Sequence, residues 1–118
     1  MKHLEDNLQE ACITWFRYQY PYLSKILFHA PNGGKRSLKE AMILKKQGVV
    51  PGVADLILLK SNANHNSLCI EMKSKEGIQT DNQKAWQKDC EVHNNAYFVC
   101  KSLDNFIEII NDYLNDKI

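Results

Sequence analysis

No apolar run in this 118-residue chain approaches the roughly 20 residues that a membrane-spanning helix needs. The opening stretch, MKHLEDNLQEA, carries acids where a secretory leader would have its apolar region, so export by that route is not expected. None of the four cysteines (Cys12, Cys69, Cys90, Cys100) belongs to a C-x-x-C pair, and His3, His29, His65 and His93 show no ligand spacing. That argues against a zinc knuckle and against a disulfide framework. The cysteines read as small buried hydrophobes in a reducing, intracellular (cytoplasmic) compartment. Internal repeats and low-complexity tracts are also missing, and a formal net charge of +1 does not by itself advertise a polyanion partner.

What is present is the composition of an ordinary globular domain, 44% hydrophobic and 25% charged, at a length that fits a single domain spanning residues 1–118. Charge is unevenly placed. Lys35, Arg36, Lys39, Lys45 and Lys46 face a single acid, Glu40, whereas the stretch after Leu103 carries Asp104, Glu108, Asp112 and Asp116. Such asymmetry fits a local basic surface, and it fits solvated helix faces of opposite sign equally well.

Leu4, Leu8, Ala11, Cys12, Trp15 and Phe16 recur at helical spacing, which predicts an amphipathic helix ending before Pro21. A short strand is expected over 25–30. A second helix follows, capped by Ser37 with Glu40 completing a capping box and closed by Gly48. Strands are expected over 55–60, 68–73 and 97–100. A third helix starts at Thr80, and a fourth spans 103–114 with Phe106, Ile107, Ile110 and Leu114 facing inward. The order helix, strand, helix, strand, strand, helix, strand, helix is α/β, with four strands in a mixed sheet and helices on both faces. Trp15 and Trp86 occupy apolar helical positions and read as core. His29, at a strand end, reads as a structural histidine more readily than as part of a site.

Asp55, Glu71 and Lys73 stand out against this background. Asp55 opens one apolar run, and Glu71 and Lys73 end the next, in the segments ADLILL and CIEMK. If the polar loop 61–67 turns a hairpin centred near Ala63, residues whose numbers sum to 126 face each other, and Asp55 lies across from Glu71. Opposed residues have Cβ atoms about 4.5–5.5 Å apart, close enough for two carboxylates to share one divalent cation. Alternation puts Lys73 on the same face as Glu71, whereas a register slip of one would separate the acids. The competing account is that Asp55 and Lys73 merely flank strands. A carboxylate directly after Leu68-Cys69-Ile70 favours the site, because burying it without a cation is costly.

In order along the chain, Glu5 and Gln9, PNGGKR at 31–36, GVVPGVADL, IEMK at 70–73 and TDNQ at 80–83 resemble the virus-type replication-repair nuclease (VRR-NUC) branch of the PD-(D/E)XK superfamily. The resemblance implies a restriction-endonuclease-like core and hydrolysis of DNA phosphodiesters with Mg2+ or Mn2+. It makes Asp55 and Glu71 metal ligands together with the Met72 backbone carbonyl, and Lys73 the residue that orients the attacking water. Glu5 would approach the metal from the first helix, directly or through water, unless it serves only the helix dipole. Gln83 would lean toward the site, although Thr80 to Gln83 also reads as a capping box. Asn32, Lys35 and Arg36 would contact the DNA backbone, where the bland reading is a plain turn. Ala54 replaces the family's motif proline, a residue that shapes backbone and does not coordinate. Stand-alone members resemble Holliday-junction resolvases of viral or prophage origin, which implies branched DNA and a homodimer. A catalytically silent DNA-binding subunit and a packaging- or restriction-linked nuclease are the alternatives.

Overall fold

The computed structural model describes residues 2–31 and 36–118. Helix α1 (Lys2–Gln19) ends before a single 3₁₀ turn, Pro21–Leu23. Strand β1 (Leu27–His29), helix α2 (Leu38–Lys46), strands β2 (Leu56–Leu58) and β3 (Leu68–Met72), helix α3 (Asp81–Val92), strand β4 (Ala96–Cys100) and helix α4 (Leu103–Leu114) follow. The element order is the one expected from the sequence. The strands β1 and β2 are shorter than expected, three residues each, because the ladder between them stops where the chain turns away at each end.

The sheet order is β1-β2-β3-β4, antiparallel except for the parallel pair β3 and β4. Leu56, Ile57 and Leu58 pair with Ile70, Cys69 and Leu68, the register expected for a hairpin centred near Ala63. Two apolar layers result from strand alternation. Leu56, Leu58, Leu68, Ile70 and Met72 meet Cys12 and Phe16 of α1 and Phe106, Ile110 and Tyr113 of α4, forming the main core. On the opposite face Ala54, Cys69 and Tyr97 pack with Ile57, Val99, Trp86 and Cys90 beneath α3. Trp15 and Trp86 both pack against these clusters, as their spacing indicated.

One helix face needs correction. In α4 the buried residues are Phe106, Ile109, Ile110 and Tyr113, with Ile107 and Leu114 only half-buried. The inward stripe is Phe106, Ile109, Ile110 and Tyr113, an i, i+3, i+4, i+7 spacing that leaves Ile107 at its margin, and the buried Tyr113 donates its hydroxyl to the Lys60 carbonyl at 2.6 Å. The cysteines behave as small hydrophobes: Cys12, Cys69 and Cys100 are buried, Cys90 is half-buried, and all four are free thiols. Helix α2, like α3, has no fully buried residue. Ser37 caps it by accepting the Glu40 N–H, but the return arm of the expected box is missing. The Ser37 hydroxyl, not its backbone amide, binds the Glu40 carboxylate. No helix among the described residues is long and apolar enough to cross a membrane.

Gly52 ties the segment before β2 to the start of α3. It sits at φ +84°, and an added Cβ would stand 2.4 Å from the Asn82 carbonyl oxygen. Neither the left-handed backbone nor the close approach tolerates a side chain. Gly52→Ala is expected to lower stability by about 1–3 kcal/mol from backbone strain alone, read as a drop in melting temperature, and to push α3 away from the residues described next. An unchanged melting temperature would contradict this packing.

Candidate active site

The sequence placed Asp55 one step beyond the last β2–β3 pair, across from Glu71, and the observed register leaves it there. The side chain does two things at once. Its Oδ2 accepts the Met72 N–H at 2.7 Å, which fixes the carboxylate against the end of β3. Its backbone carbonyl accepts the Ala30 N–H at 3.0 Å and lies 2.7 Å from His29 Nδ1. His29 is exposed, so it is both a local structural partner and part of the wall of the site.

Glu71 is the unusual residue. It is 2% exposed, and its two oxygens have different surroundings. Oε2 accepts a 2.8 Å hydrogen bond from Gln83 Nε2 and lies 3.9 Å from Lys73 Nζ. Oε1 is buried with no hydrogen-bond partner. A buried ionised carboxylate with an unsatisfied oxygen is costly. Accordingly the Glu71 carboxyl is pushed up from 4.5 to about 8. Burial is the main cause, followed by the neighbouring Asp55 carboxylate; Lys73 pulls the other way, and Glu5 raises it a little further. A proton held against Asp55 or a cation would each satisfy the orphaned oxygen.

Gln83 turns out to fill both of its candidate roles. Its Oε1 accepts the Thr80 N–H at 2.9 Å and its backbone N–H donates to Thr80 Oγ1 at 3.2 Å, a complete capping box. The same side chain spends its Nε2 on Glu71. Helix initiation thereby sets the orientation of the carboxylate. Glu5 is likewise in the first turn of α1 and at the site, with Oε2 accepting the Ser74 N–H at 3.3 Å.

A cleft of about 580 Å³ opens over these groups, walled by Glu5, Asp6 and Gln9 of α1 on one side and Thr80, Asn82 and Gln83 on the other. Asp55, Glu71, Met72 and Lys73 form its floor. One ammonium, that of Lys73, thus shares the cleft with four carboxylates, those of Glu5, Asp6, Asp55 and Glu71. Among the described residues no three His, Cys, Asp or Glu side chains converge closely enough to hold a metal by themselves, so Asp55 and Glu71 are the acid pair and Glu5 stands outside it. The fit to a divalent cation rests on that pair and on the unpartnered Glu71 Oε1, since hard cations take oxygen donors. Arg36 is exposed and does not line the cleft, while Asn32 and Lys35 lie outside the described residues. The sequence reading missed Asn82 and Gly52, whose only local signal was the Pro51-Gly52 turn, and ranked His29 as structural ahead of lining the site, whereas it does both.

The family profile for the VRR-NUC domain matches residues 2–104. The chain belongs to the VRR-NUC family. A solved structure described as a VRR_NUC domain protein superposes with a TM-score of 0.82 at 27% identity, covering 94% of this chain and 88% of that one. No curated relative matches the chain. A VRR-NUC domain implies a nuclease fold of the PD-(D/E)XK type. In this VRR-NUC chain the first-helix glutamate, the hairpin acids, the lysine and the α3 glutamine converge on one cleft, as their order along the sequence implied.

Proposed function

We propose that this VRR-NUC chain is an endonuclease that hydrolyses DNA phosphodiesters with Mg2+ or Mn2+, acting on branched or junction DNA in viral or prophage replication, recombination or repair. The observation that carries the reading is the Glu71 carboxylate, buried beside Asp55 with Oε1 unpartnered and Lys73 on the same face. Asp55 and Glu71 would hold the metal, with the Met72 carbonyl as a further oxygen donor and Glu5 acting through water. When bound, the metal lowers the pKa of a coordinated water and stabilises negative charge on the phosphate oxygens. Lys73 supplies a point charge to the pentavalent phosphate and orients the water. Gln83 holds Glu71 in the ionised orientation by donating to Oε2. Arg36, Lys35 and Asn32 are assigned to the phosphate backbone beside the cleft.

The proposed assembly is a homodimer in the cytoplasm of a bacterial host. Support comes from α2, where Leu38, Met42 and Ile43 are exposed on a nine-residue helix with no fully buried residue. So short a helix is marginal alone in water, and an isologous contact would cover it. Two such sites related by a two-fold axis suit a four-way junction.

Incubation of the purified protein with junction, flap and linear duplex DNA, each with Mg2+ and with EDTA, tests the proposal. Cleavage is expected only with metal and fastest on the junction. If metal supports cleavage of none of them, a non-catalytic DNA-binding role replaces the enzyme reading. Preference for linear duplex would instead remove the junction assignment.

A further inference from the structure

A second groove, of about 520 Å³, runs beside β1 and is lined by Arg17, Ser24, Lys25, Leu27, Phe28 and His29. His29 also lines the cleft over Asp55 and Glu71, so the two depressions meet at one residue. Strand β1 is the sheet's edge, paired only with β2. Arg17 and Lys25 form no ion pair and no side-chain hydrogen bond among the described residues. The Phe28 ring is 40% exposed and Tyr22, just before Ser24, is 76% exposed. Free cations beside open aromatic faces, in a groove leading to a phosphodiester-cutting site, are the combination that binds single-stranded nucleic acid. The cations track phosphates and the rings stack on unpaired bases.

We propose that this groove holds an unpaired strand of the DNA substrate and leads its backbone past His29 into the cleft. The inference rests on the nuclease reading of that cleft and adds a preference, for DNA in which a short single-stranded segment adjoins the cut. From Leu27 to His29 the extended strand covers about 7 Å, room for about two stacked nucleotides at roughly 3.4 Å each. Duplex DNA gains less from the groove, because its bases are already stacked on one another and hidden from Phe28.

The test is fluorescence anisotropy of a labelled oligothymidine and of a duplex of equal length, with the full chain in EDTA, across a salt series. The wild type is expected to favour the oligothymidine. Replacing Arg17 and Lys25 together by alanine should weaken its binding about ten-fold or more and flatten the salt dependence by about 0.7 log units for each charge removed. Phe28→Leu, which keeps an apolar side chain in place, should also cost about ten-fold, while Phe28→Tyr should bind like wild type because it still stacks. Unchanged affinity in the charge and Leu variants, or a wild type that prefers duplex or binds neither, overturns the groove. So does a change confined to self-association in sedimentation, which would make this face a contact between copies. Mg2+-dependent cleavage, and its loss in Asp55→Asn, are measured in the same preparations. A failed groove therefore leaves the nuclease reading standing, and a failed nuclease reading shows separately from the binding data.

Discussion

Asp55→Asn is expected to reduce metal-dependent DNA cleavage by about three orders of magnitude or more, equivalent to about 4 kcal/mol of transition-state stabilisation, without unfolding the protein. The reason lies in the two functions of the Asp55 side chain. Asparagine keeps an oxygen that can accept the Met72 N–H, now held at 2.7 Å by Oδ2, so the end of β3 stays anchored. What is lost is a negative charge from the metal-binding pair. In EDTA that loss should leave the melting temperature unchanged or raise it, because the Asp55 charge is one of the causes that push the buried Glu71 carboxyl upward. Added Mg2+ or Mn2+ should stabilise the wild type and not the variant, since a ligand stabilises only the state that binds it. Asp55→Ala gives the contrast. It removes the acceptor as well, strands the Met72 N–H near the core, and should cost about 1–3 kcal/mol. An Asp55→Asn protein that cuts at the wild-type rate would remove Asp55 from the site. One that melts far below wild type would mean that its role is structural.

The hairpin register was legible because it depends on few quantities. A hairpin centred near Ala63 puts Asp55 across from Glu71, and side-chain parity keeps the charges on one face even if the register shifts by two. That is why Asp55, Glu71 and Lys73 could be brought together before any coordinates, and the observed pairing of Ile57 with Cys69 bears this out. Capping was legible for the same reason, since Thr80 and Gln83 interact over three residues. The strands' lengths were less so. Lys25 and Ile26 belong to the turn after the 3₁₀ segment, where the Ile26 N–H donates to the Leu23 carbonyl at 3.1 Å, so β1 starts only at Leu27.

Tertiary contacts account for what the sequence left hidden. The inward face of α4 is the exception, since Phe106, Ile109, Ile110 and Tyr113 follow the i, i+3, i+4, i+7 spacing that periodicity does report. Gly52 reads locally as one half of a turn, and its need for a bare backbone appears only when Asn82 arrives above it. His29 and Asn82 enter the cleft wall by the same route, through elements meeting at the sheet's end. Glu5 and Gln83 each satisfied the local and the distant account together. A helix-initiating side chain with a spare polar atom can serve both, as Gln83 does with Oε1 on Thr80 and Nε2 on Glu71.

Wild-type stability in EDTA is expected to fall as pH rises from about 5 to about 8, relative to a Glu71→Gln variant. The Glu71 carboxyl ordinarily titrates at 4.5 and is raised to about 8 in the fold, chiefly by burial and then by Asp55. Between these values the unfolded chain has released the proton while the folded chain still holds it. The folded state thus binds more protons, and stability declines with pH. The contribution is complete below about 4.5 and is gone once pH has passed through about 8. For one proton the steepest slope is about 1.4 kcal/mol per pH unit, read by urea denaturation at several pH values. Metal reverses the preference. A cation on Glu71 needs the ionised carboxylate, so Mn2+ affinity measured by calorimetry should rise by up to ten-fold per pH unit below about 8 and then level off, with proton release on binding. Cleavage should climb along the same curve. Affinity that is flat from pH 6 to 8, or a wild-type stability that does not decline against Glu71→Gln, would show that Glu71 is ionised in the free protein. The unpartnered Oε1 would then have to be satisfied by water, and the acid pair would lose its strongest claim to a cation.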